Sequence, residues 1–127
     1  MADIATAKVL VVDDSSTMRR ILKNTLSQCG FTDVDEAGDG AEALVKCAEK
    51  QYDCVLTDWN MPEVDGLELA TRLRADPKYA KTPIMMVTTE GGKKDVMEAL
   101  IKGVNDYIVK PFTPDLVKTK MMKLLGI

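Results

Sequence analysis

The sequence predicts a doubly wound α/β fold in which a five-stranded parallel sheet is flanked by five helices. Three observations carry that expectation. Short runs such as Val9-Leu10-Val11-Val12, Cys54-Val55-Leu56 and Ile84-Met85-Met86-Val87 are apolar without alternation, as strands buried on both faces require. Stretches with apolar residues at helical spacing separate them. Three of the predicted strands finish in charged groups: Asp13-Asp14, Asp58 and Lys110. In open α/β sheets ligands bind beyond the carboxyl ends of the strands.

Lys8 to Asp13 reads as the first strand, and Ser15 or Ser16 suits the cap of the helix that follows. Met18, Ile21, Leu22, Leu26 and Cys29 share one face of it, and Gly30 ends it. Phe31 to Ala37 is a polar strand with Asp33, Asp35 and Glu36 among its members, which suits an edge. Gly38-Asp39-Gly40 turns the chain into a helix with Ala43, Leu44, Cys47 and Ala48 as its inner stripe.

Tyr52 to Asp58 is the central strand, stopped by the loop containing Asn60 and Pro62. Asp65-Gly66 starts a third helix, carrying Leu67, Leu69, Ala70 and Leu73, and Asp76-Pro77 breaks it. The fourth apolar run ends in Thr88-Thr89-Glu90. Gly91-Gly92 precede a helix from Lys93 to Lys102, with Val96, Ala99 and Leu100 inside and Gly103 as its stop. Val104 to Val109 is the fifth strand. Pro114 fits the first turn of the last helix, where Leu116, Val117, Met121, Leu124 and Leu125 face inward.

The 127 residues are 46% hydrophobic and 29% charged, which suits one globular domain with a real core. A short tail over 1–7 and a domain over 8–127 are expected. The net charge of −3 gives no basic excess for non-specific nucleic-acid binding. There is no histidine, which excludes zinc sites needing one and Ser/His/Asp or Cys/His nucleophiles. Cys29, Cys47 and Cys54 are odd in number and form no CxxC pair, so reduced, partly buried thiols are expected. The eight methionines read mostly as core filler. No run reaches membrane-spanning length, and the first residues are too few and too polar for a signal peptide. A cytoplasmic, monomeric protein is expected.

Three strand ends would bring Asp13, Asp14, Asp58 and Lys110 into one crevice. Mutually repelling carboxylates need a cation, a proton or an ammonium among them, and hard oxygen donors suit Mg²⁺. A carboxylate held there can act as a nucleophile toward phosphorus. A helix cap would account for one of Asp13 and Asp14, but not for both together with Asp58.

The pair DD at 13–14, DWNMPEVDG around Asp58, VTTE at 87–90 and KPF at 110–112 together resemble a two-component response-regulator receiver domain. The resemblance is strongest to the stand-alone chemotaxis members and runs from Lys8 to the last helix. It implies the flavodoxin-like strand order 2-1-3-4-5 and a phosphoacceptor role for Asp58. It implies Mg²⁺ bound by Asp14 and Asp58 directly, by the Asn60 backbone carbonyl, and by Asp13 through water. Lys110 and Thr88 would hold phosphoryl oxygens, and the bond before Pro111 would be cis. Thr88 and Tyr107 would form a switch pair, with Lys93, Tyr107 and Lys120 on the partner face. Asn60 and Glu90 would influence dephosphorylation. Trp59 is expected to be a partly exposed ring beside the site.

The implied partners are a histidine kinase as phosphodonor, the flagellar motor switch as target, and a phosphatase. With no output domain following Ile127, signalling by protein binding is expected; a phosphoryl carrier or sink in a relay is the alternative. Thr89 departs from the alanine common in chemotaxis receivers, and Gly91-Gly92 is unusual among them. Other classes fit less well. Gly91-Gly92-Lys93-Lys94 is no GxxxxGK[ST] phosphate loop, and Asn60 stands where an aspartate-nucleophile phosphatase usually has its second Asp. A flavodoxin's first loop would be rich in Ser, Thr and Gly, whereas Asp13-Asp14 would repel a phosphate.

Overall fold

The computed structural model describes residues 4–89 and 92–127. They alternate as β1 (Lys8–Val12), α1 (Ser16–Gln28), β2 (Asp33–Ala37), α2 (Gly40–Glu49), β3 (Cys54–Thr57), α3 (Gly66–Ala75), β4 (Ile84–Thr88), α4 (Lys93–Ile101), β5 (Asp106–Val109) and α5 (Pro114–Leu125). The sheet is parallel throughout, in the order β2-β1-β3-β4-β5. The expected fold class and strand order are both found.

Alternate residues of the central strands feed two cores, which is why those strands carry no polar face. Leu10, Val12, Val55, Ile84 and Met86 pack with α2, α3 and Ala99 of α4. Val9, Val11, Leu56, Met85, Val87 and Ile108 pack with Leu22 and Leu26 of α1 and Val117 and Met121 of α5. Ala7 is fully buried in this second core, and Ile4 packs against it. The edge strand β2 alternates more weakly, with only Val34 and Ala37 buried.

Local chemistry sets the helix starts. Ser15, rather than Ser16, caps α1 by accepting from the Met18 N–H at 3.2 Å. Asp39 and Asp65 do the same for α2 and α3, and Thr113 precedes Pro114 at the start of α5. In contrast, α4 begins after Gly92 with no side-chain cap and buries only Ala99 completely. It is the most lightly anchored of the helices described.

Several expected boundaries and inner faces need correction. The second strand begins at Asp33 because the Phe31 N–H closes α1 onto the Leu26 carbonyl. The central strand starts at Cys54, not Tyr52, whose N–H goes to the Tyr79 hydroxyl. The fifth starts at Asp106 because Val104 bonds back to Ala99 and the Asn105 side chain takes the Ile84 N–H. Ile21, Leu100 and Leu116 are 45%, 47% and 40% exposed, and Ala48 is exposed as well. Each directly precedes or follows an inward residue and falls at the margin of a stripe narrower than its apolar content suggests.

The three cysteines are free and buried. Burial raises all three thiol pKa values, that of Cys54 to about 12, so none is poised as a thiolate. Of the eight methionines, Met61, Met85, Met86 and Met121 are core residues, while Met97 is exposed. Among the described residues, no helix is long and apolar enough to cross a membrane.

Candidate functional site

Register builds the site. Val12 lies opposite Thr57 in the β1–β3 ladder, so the next residues, Asp13 and Asp58, emerge side by side. The Asp58 N–H bonds to the Val12 carbonyl at 2.9 Å, and the Asp13 N–H to the Ala37 carbonyl at 3.2 Å. On the other flank Thr88 lies opposite Val109, and the Lys110 N–H bonds to the Thr88 carbonyl at 2.8 Å. Parallel pairing thus brings four chain segments to one end of the sheet.

Oxygens of Asp13, Asp14 and Asp58 all lie within 4.8 Å of one another. Lys110 Nζ bridges two of these carboxylates, 2.9 Å from Asp13 Oδ2 and 3.3 Å from Asp58 Oδ2. The side chains of Lys110, Asp13 and Asp58 are only 11%, 2% and 14% exposed. Such a buried cluster holds together through charge-assisted hydrogen bonds. The other Asp13 oxygen accepts from the Ser15 N–H at 2.9 Å, and the other Asp58 oxygen from the Trp59 N–H at 2.7 Å. Ser15 already caps α1, so neither Asp13 nor Asp14 is spent as its cap.

The donor set fits a hard divalent cation. It consists of carboxylate oxygens, each with a lone pair beyond the bonds named above. Mg²⁺ takes few protein oxygens and keeps several waters, and the exposure of Asp14 leaves the cleft open to water on one side.

The remaining expected site residues are spread over β4, α4, β5, α5 and the loop after β3. Thr88 is fully buried at the end of β4. Asn60 is exposed two residues past Asp58, and Trp59 is half-buried against the core. Tyr107 is buried in β5 with its ring in the α3–α4 core. Lys93, exposed, opens α4. Lys120 is tied down: its Nζ lies 2.6 Å from Asp106 Oδ1 and 3.0 Å from the Tyr107 carbonyl. The peptide bond between Lys110 and Pro111 is cis. Glu90 lies outside the described residues.

Two supports were not anticipated. The Gly66 N–H bonds to the Trp59 carbonyl at 2.9 Å, and a Cβ on Gly66 would collide with the Asp58 carbonyl oxygen. Only glycine lets α3 approach the Asp58 backbone this closely; the Asp65-Gly66 pair was the available signal, read there only as a helix start. The second support is Arg19, which donates to the Asp13 carbonyl at 2.6 Å. Its acceptor is a backbone oxygen, so residue types gave no signal for it.

The model of the response regulator receiver domain family matches residues 9–122. The chemotaxis protein CheY1 of Helicobacter pylori is 57% identical over 120 residues, covering 94% of this chain and 97% of that protein. The structure of the chemotaxis response regulator CheY4 of Vibrio cholerae superposes with a TM-score of 0.88 at 37% identity, covering 94% of this chain and 98% of that one. The receiver domain of a Pseudomonas aeruginosa sensor histidine kinase, solved with a magnesium ion in its active-site cleft, gives 0.87 at 26% identity, covering 95% and 98%. With a family match over most of its length and a carboxylate cleft at the carboxyl end of its sheet, the chain belongs to the response-regulator receiver family and is closely related to the CheY chemotaxis proteins.

Proposed function

We propose that Asp58 accepts a phosphoryl group from a phosphohistidine on a partner kinase, in a reaction that depends on Mg²⁺. The observation that carries this reading is the Lys110 ammonium seated between Asp13 and Asp58 in a nearly buried cleft. An Asp58 carboxylate oxygen attacks phosphorus, the bond from phosphorus to the donor imidazole nitrogen breaks, and the electron pair leaves with the imidazole. The donor lies outside these residues, which contain no histidine.

Asp13, Asp14, Asp58 and the Asn60 backbone carbonyl are the groups that would hold Mg²⁺, with Asp13 acting through water. When bound, the ion supplies positive charge to the carboxylates and to the incoming phosphoryl oxygens. Lys110 is already in the cleft and can transfer from carboxylate to phosphoryl oxygen as charge develops there. Thr88 offers a hydroxyl from the adjoining strand end. Asn60 and Glu90 tune hydrolysis of the resulting aspartyl phosphate.

Output follows from a population shift that links Thr88 to Tyr107 and onward to the face of α4, β5 and α5. The light anchoring of α4 supports this. So does a shallow groove of about 590 Å³ lined by Lys93, Lys94, Met97, Glu98 and Ile101. The target on this reading is the flagellar motor switch.

Incubation with acetyl phosphate and Mg²⁺ should add one phosphoryl group by intact mass, and Asp58→Asn should take up none while keeping its fold. Uptake by Asp58→Asn, or a label mapped to serine or threonine, refutes the assignment.

A further inference from the structure

We propose that Arg19 and Glu36 form a clamp that aims the Asp13–Asp14 turn into the carboxylate cleft, making Arg19 a positioning residue for cation binding. The inference rests on the Mg²⁺ reading above for its affinity test, although not for its backbone test. Arg19 reaches from the first turn of α1 across the end of β1. Its terminal nitrogen donates to the Asp13 carbonyl at 2.6 Å, and its Nε to Glu36 Oε1 of β2 at 3.2 Å. Lys23 Nζ lies 3.7 Å from the other Glu36 oxygen and steadies that carboxylate. The Arg19 side chain is 20% exposed, so solvent screens the arrangement only in part.

The effect on Asp13 is complete anchorage. Its N–H is bound by Ala37, its carbonyl by Arg19, one carboxylate oxygen by the Ser15 N–H and the other by Lys110. The Asp13 carbonyl belongs to the same rigid peptide unit as the Asp14 N–H. Fixing that plane fixes the direction in which the exposed Asp14 leaves the strand. Two acceptors in divergent directions need a planar fork, which arginine has and lysine lacks.

Charge alone argues against an arginine here, because a cation near three carboxylates opposes a second cation. Glu36 offsets that charge and leaves the guanidinium to act through geometry. The two roles therefore predict opposite signs. If Arg19 acts only as a charge, its removal tightens Mg²⁺ binding; if it positions the turn, removal weakens it.

The test is a Mg²⁺ titration at constant ionic strength, read by Trp59 fluorescence and by calorimetry, on the full chain. Arg19→Met should weaken Mg²⁺ binding by about 10-fold, at the lower end of what outer-shell partners usually contribute. Arg19→Lys keeps the charge and should recover only part of the loss. Glu36→Gln tests the clamp from its other end should Arg19→Met fold poorly, and it should weaken binding less. In the absence of metal, amide exchange at Asp13 and Ser15 should accelerate in Arg19→Met while that at Val11 and Leu56 stays unchanged. Binding as tight as wild type or tighter in Arg19→Met, or unaltered exchange at Asp13, overturns the clamp. A wild-type chain that does not bind Mg²⁺ overturns the Mg²⁺ reading and the affinity role with it.

Discussion

Lys110 Nζ sits 2.9 Å from Asp13 Oδ2, although the two residues are 97 positions apart in the chain. The contact ties the edge strand β5 to the interior strand β1 across the mouth of the cleft. It also supplies the one side-chain cation seen among the three clustered carboxylates of the described residues.

Removing that cation should therefore be costly without metal and much less so with it. Lys110→Met keeps the length of the stem but leaves Asp13 and Asp58 facing each other at low exposure. Breaking a buried pair from one side usually destabilises by roughly 3–5 kcal/mol; access of water at Asp14 places this one near the bottom of that range. Saturating Mg²⁺ should restore part of the loss through preferential binding to the folded state. Urea denaturation with and without Mg²⁺ measures both. A loss that Mg²⁺ does not reduce would show that Lys110 stabilises by packing rather than by charge.

Arg74 holds the opposite end of the sheet together. Its guanidinium donates to the carbonyls of Gly103, Tyr79 and Thr82 at 3.0, 2.8 and 2.7 Å, and to Asn105 Oδ1 at 2.7 Å. Burial lowers its pKa, as expected for a desolvated cation with no carboxylate beside it among the described residues. Arg74→Met leaves several acceptors unsatisfied and should cost about 3 kcal/mol. Arg74→Lys should recover little, since one ammonium cannot span the same acceptors. Phosphorylation at the distant cleft should be unchanged. Reduced stability by urea together with normal phosphoryl uptake is the expected pair of results.

How much of this was legible in the sequence depends on which groups make each contact. Asp13, Asp14, Asp58 and Lys110 could be placed together because strand ends are marked by a change from apolar to charged residues, and parallel pairing does the rest. Tyr107 could be placed on β5, but its burial could not, because one apolar face looks like another in a short strand. Arg19 and Arg74 were silent for a different reason. Their acceptors are backbone carbonyls, which every residue possesses, so no pattern of residue types announces them. Ile21 and Leu100 show a further limit: helical spacing gives the direction of a stripe but not its width.

The edge strand carries its own pH dependence. The Tyr52 hydroxyl donates to Asp35 Oδ2 at 2.7 Å, and Lys50 Nζ lies 3.0 Å from the same oxygen. The tyrosine hydrogen bond, followed by Lys50, lowers the Asp35 pKa. A carboxyl with a lowered pKa in the folded state contributes stability above its unfolded value, about 3.9, and loses it as pH falls through the folded value. Tyr52→Phe should therefore be less stable than wild type at neutral pH, by about 0.5–1 kcal/mol after allowance for solvent exposure. The difference should shrink below about pH 4. Desolvation raises the Tyr52 pKa, which favours the neutral phenol in the folded chain. That contribution persists up to about pH 10, the unfolded value, and fades above it. Parallel urea titrations from acid to alkali should resolve both limbs, and a constant difference at all pH values would exclude the bond as their source.

On the proposed function, the face of α4, β5 and α5 should respond to the cleft, and Tyr107 is where the response can be measured. Its ring is buried among core residues of α3 and α4, while its carbonyl and its neighbour Asp106 hold Lys120. Lys120 is thus a constrained cation, whereas Lys93 at the start of the uncapped α4 is exposed. A beryllofluoride mimic on Asp58 should tighten binding of an N-terminal motor-switch peptide by about 5–150-fold, the usual range for coupled sites. Lys93→Ala should weaken peptide binding to a similar degree with and without the mimic, because it removes a surface contact. Tyr107→Ala should instead reduce the ratio between the two affinities and leave phosphoryl uptake at Asp58 intact. Calorimetry with each variant separates these outcomes. Equal peptide affinity with and without the mimic in the wild-type chain would rule out the motor switch as target and favour a phosphoryl carrier, for which transfer from Asp58 to a phosphotransfer histidine becomes the measurement to make.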